Sequence, residues 1–167
     1  MPESKHSVHS AFREKLVEHL LVGELLKRSW QRGDCSIEIS RPEVDRAGYD
    51  LIAECNGHVR HIQLKSSHRG SKTSRQSVSL SLAGKRSGCV VWVYFDPDSL
   101  ELGPFFCFGA EPGEKLPVLE AFKTAKHTKG NAQGVKAEKP NHRVVNKGQF
   151  TCIESIDGLW DNLFGDA

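Results

Sequence analysis

The sequence predicts a domain of the α+β or mixed α/β class, and three observations support this prediction. An apolar stripe with steps of three and four residues begins near residue 10 and predicts a leading helix. Alternating or continuous apolar runs follow, and they are typical of β-strands. A second helical stripe lies near the end of the chain. A helix, then mostly antiparallel strands, then a helix favours this class of packing.

The leading helix is predicted over residues 10–30. Ser10 is a suitable N-cap, because its hydroxyl can accept a hydrogen bond from the first turn. Gly33 and Asp34 are expected to end the segment. The apolar stripe consists of Phe12, Leu16, Val17, Leu20, Leu21 and Leu25.

The middle of the chain predicts strands separated by polar loops. Residues 69–77 are rich in Gly, Ser, Lys and Arg and predict a loop. Residues 88–95 are continuously apolar and predict a central strand that is covered on both faces. The predicted strands are 35–40, 50–55, 58–67, 77–82, 88–95 and 103–108.

The last third of the chain shows weaker patterns. Residues 117–124 predict a short helix, and residues 126–140 predict a polar loop. A late pair of strands is predicted within 143–153. A C-terminal helix is predicted over 153–164, because its apolar residues recur on one face.

The most informative feature is a hairpin around Asn56-Gly57. Asn-Gly between strand-like runs is a strong hairpin signal, because both residues tolerate positive φ. With this turn, Asp50 lies opposite Gln63, and Lys65 shares the face of Gln63 because side chains alternate along a strand. Directly opposed Cβ atoms lie about 4.5–5.5 Å apart. One face therefore gathers a carboxylate, an amide and an ammonium.

This grouping suits the hydrolysis of a phosphodiester. A carboxylate can hold a hard cation through its oxygens. An ammonium can stabilise a phosphorane-like transition state or help a water molecule to lose its proton. A solvated Asp–Lys pair across two strands explains the spacing of Asp50 and Lys65 equally well.

Three segments, in this order, resemble the PD-(D/E)XK nuclease superfamily in its variant with Gln in place of an acid. They are the helix 18–30, Tyr49-Asp50-Leu51, and Ile62-Gln63-Leu64-Lys65-Ser66-Ser67. The chain is most similar to small resolvase-like and group I intron-type endonucleases, over roughly residues 12–95 as a domain core. Two departures stand: Gln63 replaces the usual acid, and no Pro precedes Asp50.

The resemblance implies a restriction-endonuclease-like core, in which helices flank a central mixed β-sheet. We expect one domain over residues 1–167, because this length suits a single hydrophobic core. The nuclease-like core is expected over about residues 10–110, followed by a C-terminal strand and helix extension over 111–167.

The resemblance also implies hydrolysis of DNA with Mg²⁺ or Mn²⁺. Its catalytic residues would be Glu18, Asp50, Gln63 and Lys65. The metal ligands would be Asp50, Gln63, the backbone carbonyl of Leu64 and Glu18. Lys65 would orient the attacking water and stabilise the developing charge.

Nucleases of this type usually add an acid from the first helix, and two glutamates qualify. Glu24 lies near the middle of the apolar stripe, where a carboxylate needs a partner. Glu18 lies near the edge of the stripe but matches the acid of the family, about three turns before Trp30. We favour Glu18. Asp45, in the loop before Asp50, is a secondary candidate whose alternative role is to stabilise a turn.

The net charge is only +2, but the basic residues are clustered. Residues 55–95 contain no Asp or Glu, and residues 123–147 contain one acid, Glu138. A positive field attracts phosphate, although solvated Lys-rich loops give the same pattern. The predicted DNA contacts are Arg69, Lys72, Arg75, Lys85 and Arg86.

Composition disfavours membrane and secreted classes. No apolar run approaches the roughly 20 residues that a membrane span needs. Residues 1–10 are polar and lack the apolar core of a signal peptide, so we expect a cytoplasmic protein. The five cysteines form no CxxC pair, which predicts small buried hydrophobes in a reducing compartment rather than a zinc site.

The leading hypothesis is a metal-dependent endonuclease that acts on DNA. One alternative is a DNA-binding or assembly module that kept the nuclease fold without its activity. Another is a protein-interaction domain whose basic loops contact an acidic partner. A nuclease that cuts both strands of a duplex needs two active sites or two visits, and a homodimer would supply two sites.

Overall fold

The computed structural model describes residues 8–165. Residues 1–7, which carry most of the polar N-terminal segment, and residues 166–167 lie outside the described residues. The described elements run in the order α1 (Ser10–Arg32), β1 (Glu38–Ser40), β2 (Leu51–Cys55), β3 (His58–His68), β4 (Arg75–Ser79), α2 (Leu80–Ala83), β5 (Gly88–Phe95), β6 (Leu102–Gly109), a 3-10 turn (Leu119–Ala121), β7 (Thr124–Lys126), β8 (Glu138–Asn146), a second 3-10 turn (Lys147–Gln149), β9 (Thr151–Ile153) and α3 (Ile156–Phe164).

Six strands form the main sheet, in the spatial order β1-β2-β3-β5-β6-β9. Strands β3 and β5 are parallel, whereas the other neighbours are antiparallel, so the sheet is mixed. Helices α1 and α3 pack on one face of this sheet, with Leu21 and Trp160 in a shared core cluster. The prediction of a mixed α/β domain, with helices flanking a central mixed β-sheet, is confirmed.

Strand β5 joins two hydrophobic cores. All its residues are buried, as the continuous apolar run predicted. Because side chains alternate along a strand, Val91 and Val93 enter the cluster that contains α1 and α3. Val90 and Trp92 enter a second cluster on the other face, together with residues of β4 and β8.

A second sheet of three strands, in the order β4-β8-β7, covers that other face. The predicted strand at 77–82 is wrong in its second half, because β4 runs from Arg75 only to Ser79. The Ser79 hydroxyl accepts a hydrogen bond from the backbone N–H of Ser81 at 3.3 Å and caps the short helix α2. Strand β4 therefore ends at Ser79, although the alternating pattern of the sequence continues to residue 82.

Two strands are present around the predicted turn within 143–153, but the prediction that they pair with each other is wrong. Strand β8 belongs to the second sheet, whereas β9 pairs with β6 at the edge of the main sheet. The 3-10 turn at 147–149 carries the chain from one sheet to the other. The polar loop predicted at 126–140 is shorter than expected, because β8 begins at Glu138.

Lys147, in that turn, is held by three aromatic rings of the second cluster. Its Nζ lies 4.5 Å from the ring centre of Tyr94, 4.4 Å from that of Phe106 and 5.6 Å from that of Trp92. It also donates a hydrogen bond to the Tyr94 hydroxyl at 3.0 Å. Such cation–π contacts each stabilise by about 0.5–2 kcal/mol, depending on how fully the cation is desolvated. We call this arrangement the Lys147 clamp.

Several predicted helix boundaries need correction. Ser10 is the first helical residue rather than the N-cap, and the capping residue, His9, makes no side-chain capping hydrogen bond. Residues 117–124 contain only the 3-10 turn at 119–121. The C-terminal helix begins at Ile156 instead of Ile153, because the Ser155 hydroxyl accepts a hydrogen bond from the N–H of Gly158 and caps it there.

The cysteines divide into two groups. Cys55, Cys89 and Cys107 are buried, as predicted, and burial raises the pKa of the Cys89 thiol to about 11. Cys35 and Cys152 are exposed, so the prediction that all five are buried is wrong.

Within residues 8–165, the longest helices are too short or too polar to cross a membrane.

Candidate active site

The hairpin has the predicted turn and register. Asn56 and Gly57 have φ angles of 51° and 81°, as a type I′ turn requires. Leu51 lies opposite Ile62, which is the register that aligns Asp50 with β3. Because one slipped residue would reverse every side chain, this turn determines which residues face the cleft.

The Asp50 carboxylate is held at the start of β2. The backbone N–H of Asp50 donates to the carbonyl of Ile62 at 2.8 Å, and its Oδ2 accepts from the N–H of Leu64 at 2.7 Å. Gly48, two residues earlier, has φ of +75°, and a Cβ there would lie 2.6 Å from the Cβ of Ser79. Glycine at this position therefore lets the chain approach the second sheet and bring Asp50 against β3.

Gln63 and Lys65 come from β3, two residues apart and therefore on one face. Gln63 is 9% exposed, and its Oε1 is buried without a hydrogen-bond partner within the described part of the chain. A buried acceptor without a partner costs free energy, so a ligand that satisfies it would be favoured. The charges of Lys65 and Asp50 interact directly enough to influence each other's ionisation.

These three side chains line one cleft of about 590 Å³. The cleft is bounded by the first half of α1, by the hairpin and by residues of β4 and β8. Its lining consists of Ala11, Glu14, Lys15, Val17, Glu18, Asp45, Asp50, Gln63, Leu64, Lys65, Ser66, Gln76 and His142.

Burial perturbs both charged groups of the hairpin. It raises the pKa of the Asp50 carboxyl, although the hydrogen bond from Leu64 and the charge of Lys65 act in the opposite direction. Burial also lowers the pKa of the Lys65 ammonium, while the charges of Asp50 and Glu14 act to raise it. Opposed shifts of this kind in a cleft are typical of functional sites. A cation beside Asp50 would favour the ionised carboxylate.

The two candidate helix acids occupy different environments. Glu18 is 5% exposed and lines the cleft. It pairs with Lys15 at 2.9 Å and with Arg41 through the opposite carboxylate oxygen. Burial acts to raise the pKa of Glu18, but the hydrogen bonds from Arg41 and Lys15 outweigh it and lower the pKa. Glu24 lies outside the cleft lining and is 3.9 Å from Lys27.

The sequence reasoning missed several residues of the cleft, among them Glu14, Gln76 and His142. Glu14 lies one turn before Glu18 on α1, and the i, i+4 spacing was the available signal for it. His142, from β8, reaches the cleft from the second sheet, and no local pattern indicates that approach. Burial lowers the pKa of His142, and the charges of Lys139 and Lys65 add to this effect.

The fold places Asp45 and another nearby acid, Glu54, in different surroundings. Asp45 lies in the cleft lining, and its charge acts to raise the pKa of Asp50. Glu54 is exposed near the hairpin tip, opposite Glu38 of β1. Among these acids, Asp45 is therefore the one that can act on a ligand of the cleft.

The predicted DNA contacts fall into three sets. Arg69 is engaged within the fold, because its Nε donates to the carbonyl of Gly103 at 2.8 Å. Lys72 and Arg75 are exposed and line a groove on the second sheet. Lys85 lies over the ring of Tyr49 at 5.6 Å, and Arg86 is exposed.

The donor set fits a weakly held hard cation. Among residues 8–165, no group of three or more His, Cys, Asp or Glu side chains has the geometry to hold a metal ion. Asp50 supplies one carboxylate, and the unpaired Oε1 of Gln63 supplies a neutral oxygen. Mg²⁺ keeps several water ligands and binds through one or two carboxylates together with substrate phosphates, so this set is sufficient only for such a site.

No protein-family model matches the chain, and no curated protein matches it. Among solved structures, the chain is similar to that of a bacterial homing endonuclease, I-Ssp6803I, with 19% sequence identity and a TM-score of 0.33. The alignment covers 73% of this chain and 85% of the other. A similarity this low identifies neither a family nor an activity, so functional conclusions depend on the cleft.

Proposed function

We propose that this protein is an endonuclease of the PD-(D/E)XK type that hydrolyses DNA phosphodiester bonds with Mg²⁺ or Mn²⁺. One observation carries the proposal: Asp50, Gln63 and Lys65 line a single cleft, and the buried Oε1 of Gln63 there has no partner among the described residues. A purely solvated Asp–Lys pair would not require an unsatisfied buried oxygen beside it.

Each side chain has a role in the proposed reaction. Asp50 and Gln63 would hold the cation, with the backbone carbonyl of Leu64 and the carboxylate of Glu18 as further ligands. When bound, the cation would supply Lewis-acid stabilisation of charge on the phosphate oxygens. Asp50 is already oriented for this by the N–H of Leu64. Lys65 would orient the attacking water and stabilise the negative charge of the transition state.

The reaction is a hydrolysis in which a water oxygen bonds to phosphorus and the bond from phosphorus to one ester oxygen breaks. The attacking water gives one proton to solvent, and the departing ester oxygen receives one proton from solvent. Because the pKa of Lys65 is lowered by burial, its ammonium can take part in proton transfer more readily than an exposed lysine.

The Gln at position 63 predicts modest metal affinity. A carboxylate would add a negative charge, and the number of charged ligands sets the affinity for hard cations. We therefore expect activity to require metal in the millimolar range. Glu18 can add to the ligand set only if one of its oxygens is released from Lys15 or Arg41.

A second candidate is a DNA-binding or assembly module without catalytic activity. The pairing of both Glu18 oxygens with Lys15 and Arg41 favours it, because a carboxylate neutralised by two cations is a poor metal ligand. This candidate would bind DNA in a salt-sensitive manner without cutting it.

The deciding experiment measures cleavage of supercoiled plasmid and of branched DNA with Mg²⁺ or Mn²⁺, for the wild type and for Lys65→Ala. We expect metal-dependent cutting that is abolished by EDTA and reduced about 10²–10³-fold in the variant, as for the loss of one group that stabilises the transition state. Lys115→Ala is the matched control, because Lys115 is exposed and lies outside the cleft.

Two outcomes would contradict the nuclease assignment. If neither the wild type nor Lys65→Ala cuts while both bind DNA, the module without catalytic activity is the correct function. If Lys65→Ala cuts as fast as Lys115→Ala, the cleavage belongs to another site or to a contaminant.

The partner and compartment remain predictions. A homodimer would supply one active site for each strand of a duplex. The molecular mass in solution, measured by sedimentation, tests whether the protein is a dimer. The five free cysteines fit a reducing compartment such as the cytosol.

A further inference from the structure

The second sheet carries a basic groove on its outer face. The groove has a volume of about 1030 Å³ and is lined by 17 residues, of which five are Lys or Arg and none is Asp or Glu. Its cations are Lys72, Arg75, Lys123, Lys126 and Lys136. All five are exposed, so their charges are available to a ligand.

Alternation along the strands explains how the groove and the core share one sheet. In β8, Val145 is fully buried in the second cluster, whereas its neighbours Val144 and Asn146 line the groove. In β7, Ala125 is buried and Lys126 is exposed, and both line the groove. Strand β8 therefore holds one apolar face against the main sheet and displays the opposite face to solvent.

The polar groups of the groove match the sugar–phosphate backbone of a nucleic acid. Backbone phosphates are contacted mainly by Lys and Arg together with Ser, Thr, Asn and Gln side chains. The groove adds the hydroxyls of Thr73, Ser77 and Thr124 and the amide of Asn146 to its cations. An acid lies nearby, because Glu138 pairs in register with Lys126, but it is not part of the lining.

The groove and the cleft meet at strand β4. Gln76 of β4 lines both cavities, and its pairing in register with the buried Val145 places its side chain on the inner face, toward the cleft. The cleft and the groove are therefore neighbours on opposite sides of one strand.

We propose that this groove binds the phosphate backbone of the duplex DNA that is cut in the cleft. The inference rests on the proposed function for the identity of the substrate, and it extends the predicted contacts Lys72 and Arg75 to the cations of the second sheet. Lys123 and Lys126 are its central contacts, because they lie on or next to β7 and face the groove.

The test compares the double variant Lys123→Gln/Lys126→Gln with a charge-matched control, Lys27→Gln/Lys115→Gln, whose residues are exposed and lie outside the groove. Binding to a short fluorescent duplex is measured by anisotropy in EDTA over a range of salt concentrations. Each lost phosphate contact lowers the slope of log K against log salt by about 0.9, so the groove variant should lose about 1.8. Its affinity at low salt should fall about tenfold or more.

The control should keep the slope of the wild type, and thermal unfolding should show both variants folded. An unchanged slope in the groove variant would overturn the proposal. So would retention of DNA binding with loss of binding to polyglutamate, which would make the groove a site for an acidic protein.

Failure of the groove and failure of the nuclease give different results. If the wild type binds DNA with the expected slope change but never cuts, the groove stands and the catalytic assignment fails. If the wild type cuts DNA and the groove variant keeps the full salt slope, the catalytic assignment stands and the groove proposal fails.

Discussion

Two regions present charge in opposite ways: the hairpin wall of the cleft, formed by Asp50, Gln63 and Lys65, and the outer groove of the second sheet. In the wall, Asp50 and Lys65 are partly enclosed, and burial shifts the pKa of each. In the groove, Lys126 on the short strand β7 and Lys123 just before that strand are exposed. Enclosed charges act through position, whereas exposed charges act through number and are screened by salt. The wall is therefore suited to chemistry and the groove to binding.

The largest loss of stability is expected from a substitution at Gly48, where the chain before the hairpin contacts Ser79 of the second sheet. Gly48→Ala combines a φ of +75° with a Cβ placed 2.6 Å from the Cβ of Ser79. Backbone strain and overpacking should together lower the free energy of unfolding by about 2–4 kcal/mol. Urea denaturation measures the change.

Gly57→Ala is the matched control for that variant. Gly57 has φ of +81° but no atom within 4 Å of the added Cβ, so this substitution carries the strain without the collision. Equal losses in the two variants would mean that the contact of Gly48 with Ser79 contributes nothing.

A smaller effect should separate the helix acids. Glu18→Gln should lower the cleavage rate about 10–100-fold, the usual range for groups that support a metal site. Glu24→Gln should leave the rate unchanged, because Glu24 lies outside the cleft. Single-turnover rates over a series of Mg²⁺ concentrations make the measurement.

Glu14→Gln adds a third arm to that series. Glu14 lines the same cleft, and its charge acts on Lys65. A larger loss at Glu14 than at Glu18 would transfer the role of helix acid to Glu14 and leave Glu18 as a partner of Arg41.

The smallest expected effect is a gain in stability when the negative charge of Asp50 is removed. Asp50 has a raised pKa in the folded protein, so the folded state binds its proton more tightly, and stability is lost as pH rises from the ordinary carboxyl pKa through the folded pKa. In EDTA, Asp50→Asn should therefore be more stable than the wild type at pH 7, by about 0.5–2 kcal/mol.

The pH dependence makes this prediction specific. The advantage of Asp50→Asn should shrink as pH falls and vanish below the ordinary carboxyl pKa, where Asp50 is neutral in both states. An advantage that is constant with pH would show that the charge of Asp50 is not the cause.

Sequence reasoning succeeded where structure depends on neighbours in the chain. The turn at Asn56-Gly57 and the alternation of β3 were sufficient to predict the register that aligns Asp50 with Gln63 and Lys65. The continuous apolar run of β5 predicted its central position, because a strand that is covered on both faces needs apolar residues on both faces.

The second sheet could not be predicted in the same way. Its strands β4 and β8 are far apart in sequence, as the pairing of Arg75 with Asn146 illustrates, and no turn signal joins them. The alternation at 77–82 gave no sign that Ser79 would cap a helix. His142 and Gln76 reach the cleft only because of this long-range pairing, so they were missed as members of the site.

The Lys147 clamp has a consequence for how the molecule opens. It lies where the chain passes between the sheets, and its contacts to Tyr94 and Phe106 belong to the core beneath β4 and β8. Proteins often open in cooperative units, each with its own free energy. Loss of the ammonium in Lys147→Met should let the amide hydrogens of the second sheet exchange with solvent earlier than those of the main sheet. Because residues of both sheets line the cleft, detachment of the second sheet would open it. The contacts of Lys147 would then determine how frequently the cleft opens.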